Sequence, residues 1–99
     1  MTEHAAVIDV SHYYPAEGKR EELLAAMKRI AEKAAASKGC FGAQTCDSDQ
    51  DRDALIAVSR WDSQSSLDGF AKSADFISER EHLTQLLAKP AYREHLRPR

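Results

Sequence analysis

Ala54–Trp61 (ALIAVSRW) is apolar almost without interruption, the pattern of a strand covered on both faces rather than one that alternates between core and water. In a chain of 99 residues this is a severe constraint. A domain of that size buries only roughly two-thirds of the surface that its unfolded chain exposes. The helices encoded on either side of the strand can cover one face of a small sheet. The second face needs another cover, and a second copy of the same chain is the simplest one. The expectation is a homodimer packed sheet against sheet.

The stretches before this strand supply the rest of such a sheet. Ala6–Tyr14 (AVIDVSHYY) alternates and is rich in β-branched and aromatic residues, which is a strand signature. One face carries Ile8, Val10, His12 and Tyr14; the other carries Val7, Asp9, Ser11 and Tyr13. The first set is the more apolar, so it is expected to face the main core, with His12 inside that core or at its rim. Pro15 and Gly18 then turn the chain. Lys19–Lys38 is built from good helix formers, with Leu23, Met27, Ile30 and Ala34 at helical spacing and Leu24 and Ala31 widening the stripe. Glu21 and Glu22 in its first turn and Lys38 in its last suit the helix dipole, and Gly39 is placed to be its left-handed cap. Cys40–Cys46 (CFGAQTC) reads as a second strand in which Gly42 marks a bulge or a close approach to the backbone. Asp47–Asp53 (DSDQDRD) reads as a solvated hairpin loop; the central glycine and terminal glutamate of a calcium-binding EF-hand loop are missing.

Beyond Trp61, Asp62 or Ser63 caps a helix whose apolar stripe is Leu67, Phe70, Ala71 and Ala74. Gly69 and the Ser-Ala-Asp at 73–75 make that helix short or broken. A second helical piece over Ile77–Ala88 is expected to bury Leu83, Leu86 and Leu87, with His82 beside them, until Lys89-Pro90 stops it. Ala91–Arg97 (AYREHLR) reads as a last short strand with Arg93, His95 and Arg97 in a basic row on one face. That row is either a solvated edge that resists aggregation or a site for an anion or carboxylate.

The totals narrow the function classes. With 42% hydrophobic and 30% charged residues, the composition is that of an ordinary globular protein, read as a single domain over residues 1–99. The formal charge is −2 and the basic residues are dispersed until the last few, so there is no footprint for nucleic acid or for an anionic membrane. MTEHAAVIDV has no basic region followed by a long apolar run, and no segment approaches the roughly 20 apolar residues of a membrane helix; the expected address is cytoplasmic. Cys40 and Cys46 on one strand stand roughly 20 Å apart, too far for a disulfide. No metal-type spacing involves them, and they read as small apolar residues.

The order strand, helix, strand, strand, helix, strand is the ferredoxin-like βαββαβ pattern, an α+β fold with an antiparallel sheet and helices on one face. With a doubly covered strand it implies a dimeric α+β barrel. Three stretches carry a family resemblance as well: the turn at Pro15–Gly18 into a long helix, Gly39-Cys40-Phe41-Gly42 opening the next strand, and SRWDSQSSLDGFAKSADF over Ser59–Phe76. Together they resemble an antibiotic biosynthesis monooxygenase (ABM) domain over about nine-tenths of the chain by eye.

The resemblance implies a homodimer with a pocket between sheet and helices in each protomer. It also implies oxygenation of a small aromatic hydroxylated metabolite, a quinol or polyketide, without metal, flavin or haem. The matching candidates are His12 as proton acceptor or orienter, Trp61, Phe70 and Phe76 as aromatic walls, Tyr14 as a hydrogen-bonding edge, and Arg60 or Arg80 as the stabiliser of a phenolate. His82, next to apolar neighbours, is a further candidate for the pocket, with packing as its alternative. An apolar pocket wall and a core read identically in sequence. A ligand-binding or structural dimer without chemistry is therefore the alternative function. Haem-degrading relatives use an Asn on the first strand, a Trp on the helix after Trp-x-Ser and an axial His further along. Here the first strand has no Asn, the Trp position is Phe70 and the His position falls near Arg80, so no haem cofactor is expected.

Overall fold

Seven elements follow one another in the computed structural model, which describes residues 4–99: β1 (Val7–Tyr13), α1 (Arg20–Ala35), β2 (Cys40–Asp47), β3 (Leu55–Trp61), α2 (Gln64–Ala71), α3 (Ala74–Thr84) and β4 (Tyr92–Leu96). Met1–Glu3, part of the stretch read above for a leader, lie outside the described residues. The strands form one four-stranded sheet in the order β2-β3-β1-β4, antiparallel throughout. This is the expected ferredoxin-like α+β architecture. No helix among the described residues is long and apolar enough to cross a membrane.

The apolar stripe of α1 does what its spacing predicts: Leu23, Ala26, Met27 and Ala34 are buried against the sheet. The helix stops at Ala35 with Ala36 as its C-cap, so Gly39 is not the cap. It serves the turn into β2 instead, at φ +86°, where a Cβ would run into Ser66 Oγ and sit 2.6 Å from Asp62 Oδ1. Gly42 combines both roles expected of it. The β2–β3 register shifts between Cys40 and Gly42, and the Arg60 guanidinium lies close against the glycine.

Ser63, not Asp62, caps α2, accepting a hydrogen bond from the Ser66 amide. The break after α2 is built around Ser73. Its hydroxyl donates to the Phe70 carbonyl at 2.7 Å and accepts from the Phe76 amide, so one side chain ends α2 and caps α3. An ion triplet of Arg29, Lys33 and Glu79 ties α1 to α3.

The face assignment of β1 is corrected by the structure. Val7, Ser11 and Tyr13 are buried under the helices, and Asp9 shares their face. Ile8, Val10 and His12 lie on the other face, opposite Arg60, Val58 and Ile56 of β3 and Leu96, Glu94 and Tyr92 of β4. His12 is therefore not in the main core; its ring lies 5.5 Å from that of Tyr92 on the open side of the sheet. Apolarity misled because both faces are apolar. The helix-covered face tolerates two polar residues, and among the described residues no element packs on the other.

Beneath the helices the core is divided in two. Tyr13, Leu23, Met27, Leu55 and Leu83 belong to one cluster; Val7, Ala34, Trp61 and Leu67 form the other. Each inward-facing row runs from one cluster to the other and is small or polar in between: Asp9 and Ser11 on β1, Ala57 and Ser59 on β3. That interval is where the cavity lies.

Candidate functional site

The cavity occupies about 50 Å³ between the sheet and the helices. Asp9 and Ser11 of β1, with Arg93 of β4, form its polar side; Phe70 and Phe76 close it from the helices. Space exists because alanines face it from four elements, namely Ala31, Ala43, Ala57 and Ala71. Larger residues there would join the two core clusters into one.

Strand pairing assembles the polar side. Ser11 pairs with Arg93, and Asp9 with His95, so the basic row of β4 turns inward onto the β1 carboxylate. Arg93 Nε donates to Ser11 Oγ at 3.1 Å and lies 3.8 Å from Asp9 Oδ1. His95 Nε2 stands 3.0 Å from the same oxygen. This contact has the length of an ion pair but not the alignment of a good hydrogen bond, so buried Asp9 Oδ1 has no well-aligned donor. Burial pushes the Asp9 carboxyl above its ordinary value; the charges of Arg93 and His95 and a contact with His95 offset that rise only in part. A carboxylate with raised proton affinity beside a guanidinium is equipped to take a proton and to hold the anion that results.

The three aromatic candidates come together as a stack. The rings of Phe70 and Phe76 are 5.0 Å apart, and Trp61 lies 5.6 Å from Phe70. Trp61 is fully buried behind Phe70, its indole N–H donating to Ser59 Oγ at 2.8 Å. It supports the wall, whereas Phe70 and Phe76 form it.

The other candidates lie elsewhere. Tyr14 donates its hydroxyl to Asp51 at 3.0 Å and carries Lys89 Nζ 4.2 Å above its ring; the hydrogen bond to Asp51, then burial and the carboxylate's charge, raise its phenol above the ordinary value. Arg60 belongs to the open sheet face and donates to the Phe41 carbonyl at 3.2 Å. His82 is exposed on α3, 3.7 Å from Glu22. Arg80 lines a separate recess beside the cavity, with Leu83, Leu87 and Pro90; Tyr13 and Arg93 line both spaces.

Asp9 and Ser11 were not singled out as site residues, and Arg93 and His95 only as part of a basic row. The available signal was the matched spacing: a carboxylate and a hydroxyl two apart on the first strand, a guanidinium and an imidazole two apart on the last. Among the described residues no group of three or more His, Cys, Asp or Glu is arranged to hold a metal ion, and the two cysteines form no disulfide.

Fold and cavity together define a ferredoxin-like α+β domain with a buried acid–base cluster between sheet and helices. Solved structures similar to it share that architecture. Rv0793 from Mycobacterium tuberculosis superposes with a TM-score of 0.85 at 23% identity, covering 93% of each chain. A conserved protein from Methanosarcina mazei Go1 gives 0.88 at 20% identity over 96% of this chain and 94% of that one. A structure described as an antibiotic biosynthesis monooxygenase gives 0.82 at 10% identity over 93% and 97%. At these identities the likeness carries the fold alone. Among curated proteins nothing matches. Residues 6–94 match the profile of the antibiotic biosynthesis monooxygenase family, and the chain belongs to that family.

Proposed function

We propose that the protein is a homodimeric, cofactor-independent monooxygenase of a small aromatic hydroxylated metabolite, a quinol or polyketide. The observation that carries this reading is the buried Asp9 carboxylate, raised in proton affinity and flanked by Arg93, at the polar end of a cavity walled by Phe70 and Phe76. Membership of the monooxygenase family supports it.

Asp9 takes the phenol proton, and Arg93 stabilises the phenolate. The electron-rich anion passes one electron to O2, and the radical pair combines to form a carbon–peroxide bond. Loss of the remaining C–H proton to a base, with cleavage of the O–O bond, leaves a quinone carbonyl and releases the second oxygen as water. The substrate supplies every electron, so no reductant is consumed. The protein's part is to bind the ring in an apolar slot, exclude water and hold the anion.

The open sheet face, where Ile8, Val10, Val58 and Leu96 are only partly covered or exposed, supports the dimer. The size of the cavity favours a second reading. A volume of about 50 Å³ is below the roughly 150 Å³ that admits benzene. A ligand-binding or structural dimer without chemistry needs no larger space. The oxygenase reading requires Arg93 to swing aside and join the cavity to the outer recess of about 330 Å³.

Oxygen consumption by metal-stripped protein with a panel of quinols and anthrones decides between them. Turnover lost in Asp9→Asn and kept in His12→Ala is the expected result. Binding of the same compounds without oxygen uptake establishes the second reading.

A further inference from the structure

The outer recess carries more information than its size. Two arginines, Arg80 of α3 and Arg93 of β4, line it together with Tyr13, Leu83, Leu87 and Pro90, and no carboxylate among the described residues lines it. Their situations differ. Arg93 is engaged by Ser11 and Asp9, whereas the Arg80 guanidinium has no hydrogen bond or ion pair among the described residues; only its backbone carbonyl is used, by Thr84. The neighbouring acid on α3, Glu79, points instead to Arg29 and Lys33 of α1. An uncommitted guanidinium at an apolar recess that shares Tyr13 and Arg93 with the acid–base cavity is suited to a planar anion, which it holds with two parallel hydrogen bonds.

We infer that the ligand is an aromatic acid, with its ring reaching past Arg93 towards Phe70 and Phe76 and its carboxylate held at the mouth by Arg80. This deepens the substrate class of the reading above and rests on it for the placement of the ring. The arrangement gives the two arginines separate tasks: Arg80 selects a permanent negative charge, and Arg93 receives the charge that forms during reaction. It also fixes the direction of binding, because the hydroxyl that Asp9 deprotonates lies at the inner end and the carboxylate at the outer.

The test compares two probes, 6-hydroxy-2-naphthoate, whose hydroxyl and carboxylate lie at opposite ends of the ring system, and 2-naphthol, by quenching of Trp61 fluorescence and by calorimetry. The unmodified protein is expected to bind the hydroxynaphthoate about tenfold or more tightly than the naphthol, as loss of a charge-assisted hydrogen bond implies. Arg80→Gln removes this preference and Arg80→Lys restores part of it; with Arg80 exposed on the surface, the thermal midpoint stays constant as a control on folding. Equal affinity for the two probes, or a preference that survives Arg80→Gln, overturns the inference while leaving the oxygenase reading intact. An Arg80-dependent preference for the acid with no oxygen uptake from any aromatic acid upholds the anion site and overturns the oxygenase. Binding of neither probe overturns both.

Discussion

His95 Nε2 lies 3.0 Å from Asp9 Oδ1 across the β1–β4 pairing, yet burial still leaves the carboxyl above its ordinary proton affinity. The histidine, about one-third exposed, neutralises the site incompletely. Asp9 is thus a group that costs the fold something in its ionised form.

The first prediction uses that cost. An acid whose folded value is raised binds more protons folded than unfolded, so its stabilising effect is complete below the ordinary carboxylate range and is lost as pH rises through the raised folded value. At neutral pH, Asp9→Asn is therefore expected to leave the thermal midpoint unchanged or higher. The same substitution lowers oxygen turnover by about 10²-fold or more, the range of a lost general base. Paired melting curves at pH 4 and pH 7, with an oxygen electrode, check both halves.

Arg93 reaches Ser11 and Asp9 through a single nitrogen, Nε, leaving the terminal nitrogens of its fork for a ligand. Arg93→Lys keeps the charge and loses the fork. The expected result is a fall in kcat of about 10²-fold with a smaller change in KM, because the lost donors act on the charge that develops during reaction. Steady-state kinetics on the best quinol found in the panel provide the measurement.

Val10 faces Val58 across the open sheet face, opposite Glu94 on its other side. A lysine there places a charge at the centre of the proposed dimer contact while leaving the helix-covered core untouched. Light scattering at micromolar concentration should give twice the chain mass for the unmodified protein and one chain mass for Val10→Lys. A monomeric unmodified protein removes the dimer.

Gly39→Ala tests the turn between α1 and β2. The residue has a positive φ and its hydrogen faces Asp62 and Ser66, so a methyl group adds backbone strain to a steric conflict. The expected cost is about 1–3 kcal/mol, lowering the thermal midpoint by about 5 °C or more for a domain this small. Differential scanning calorimetry measures it directly.

Much of the fold was legible because its signals are local. The stripe of α1, the strand at Ala54–Trp61 and the Pro90 stop before β4 all follow from neighbouring residues. The aromatic wall was also legible, since Phe70 and Phe76 straddle the Ser73 break on adjoining helices. The polar side of the cavity was not. Whether Asp9 or His12 points inward depends on which of two apolar faces receives the helices, and a period of two cannot say which face that is. Asp9 and Ser11 meet Arg93 and His95 on the inward face, and that partnership is invisible until β4 is laid beside β1.

The same pairing dates the site within the life of the molecule. Ser11 and Arg93 are 82 positions apart, joined only when the first strand receives the last. At a synthesis rate of about 5–20 residues per second, α1, β2 and β3 are synthesised seconds before Arg93 exists. A nascent chain that has already packed these elements is a scaffold with a lone buried carboxylate. The acid–guanidinium pair forms only when β4 closes against β1, so a chain that stops short of it carries the carboxylate without its counter-charge.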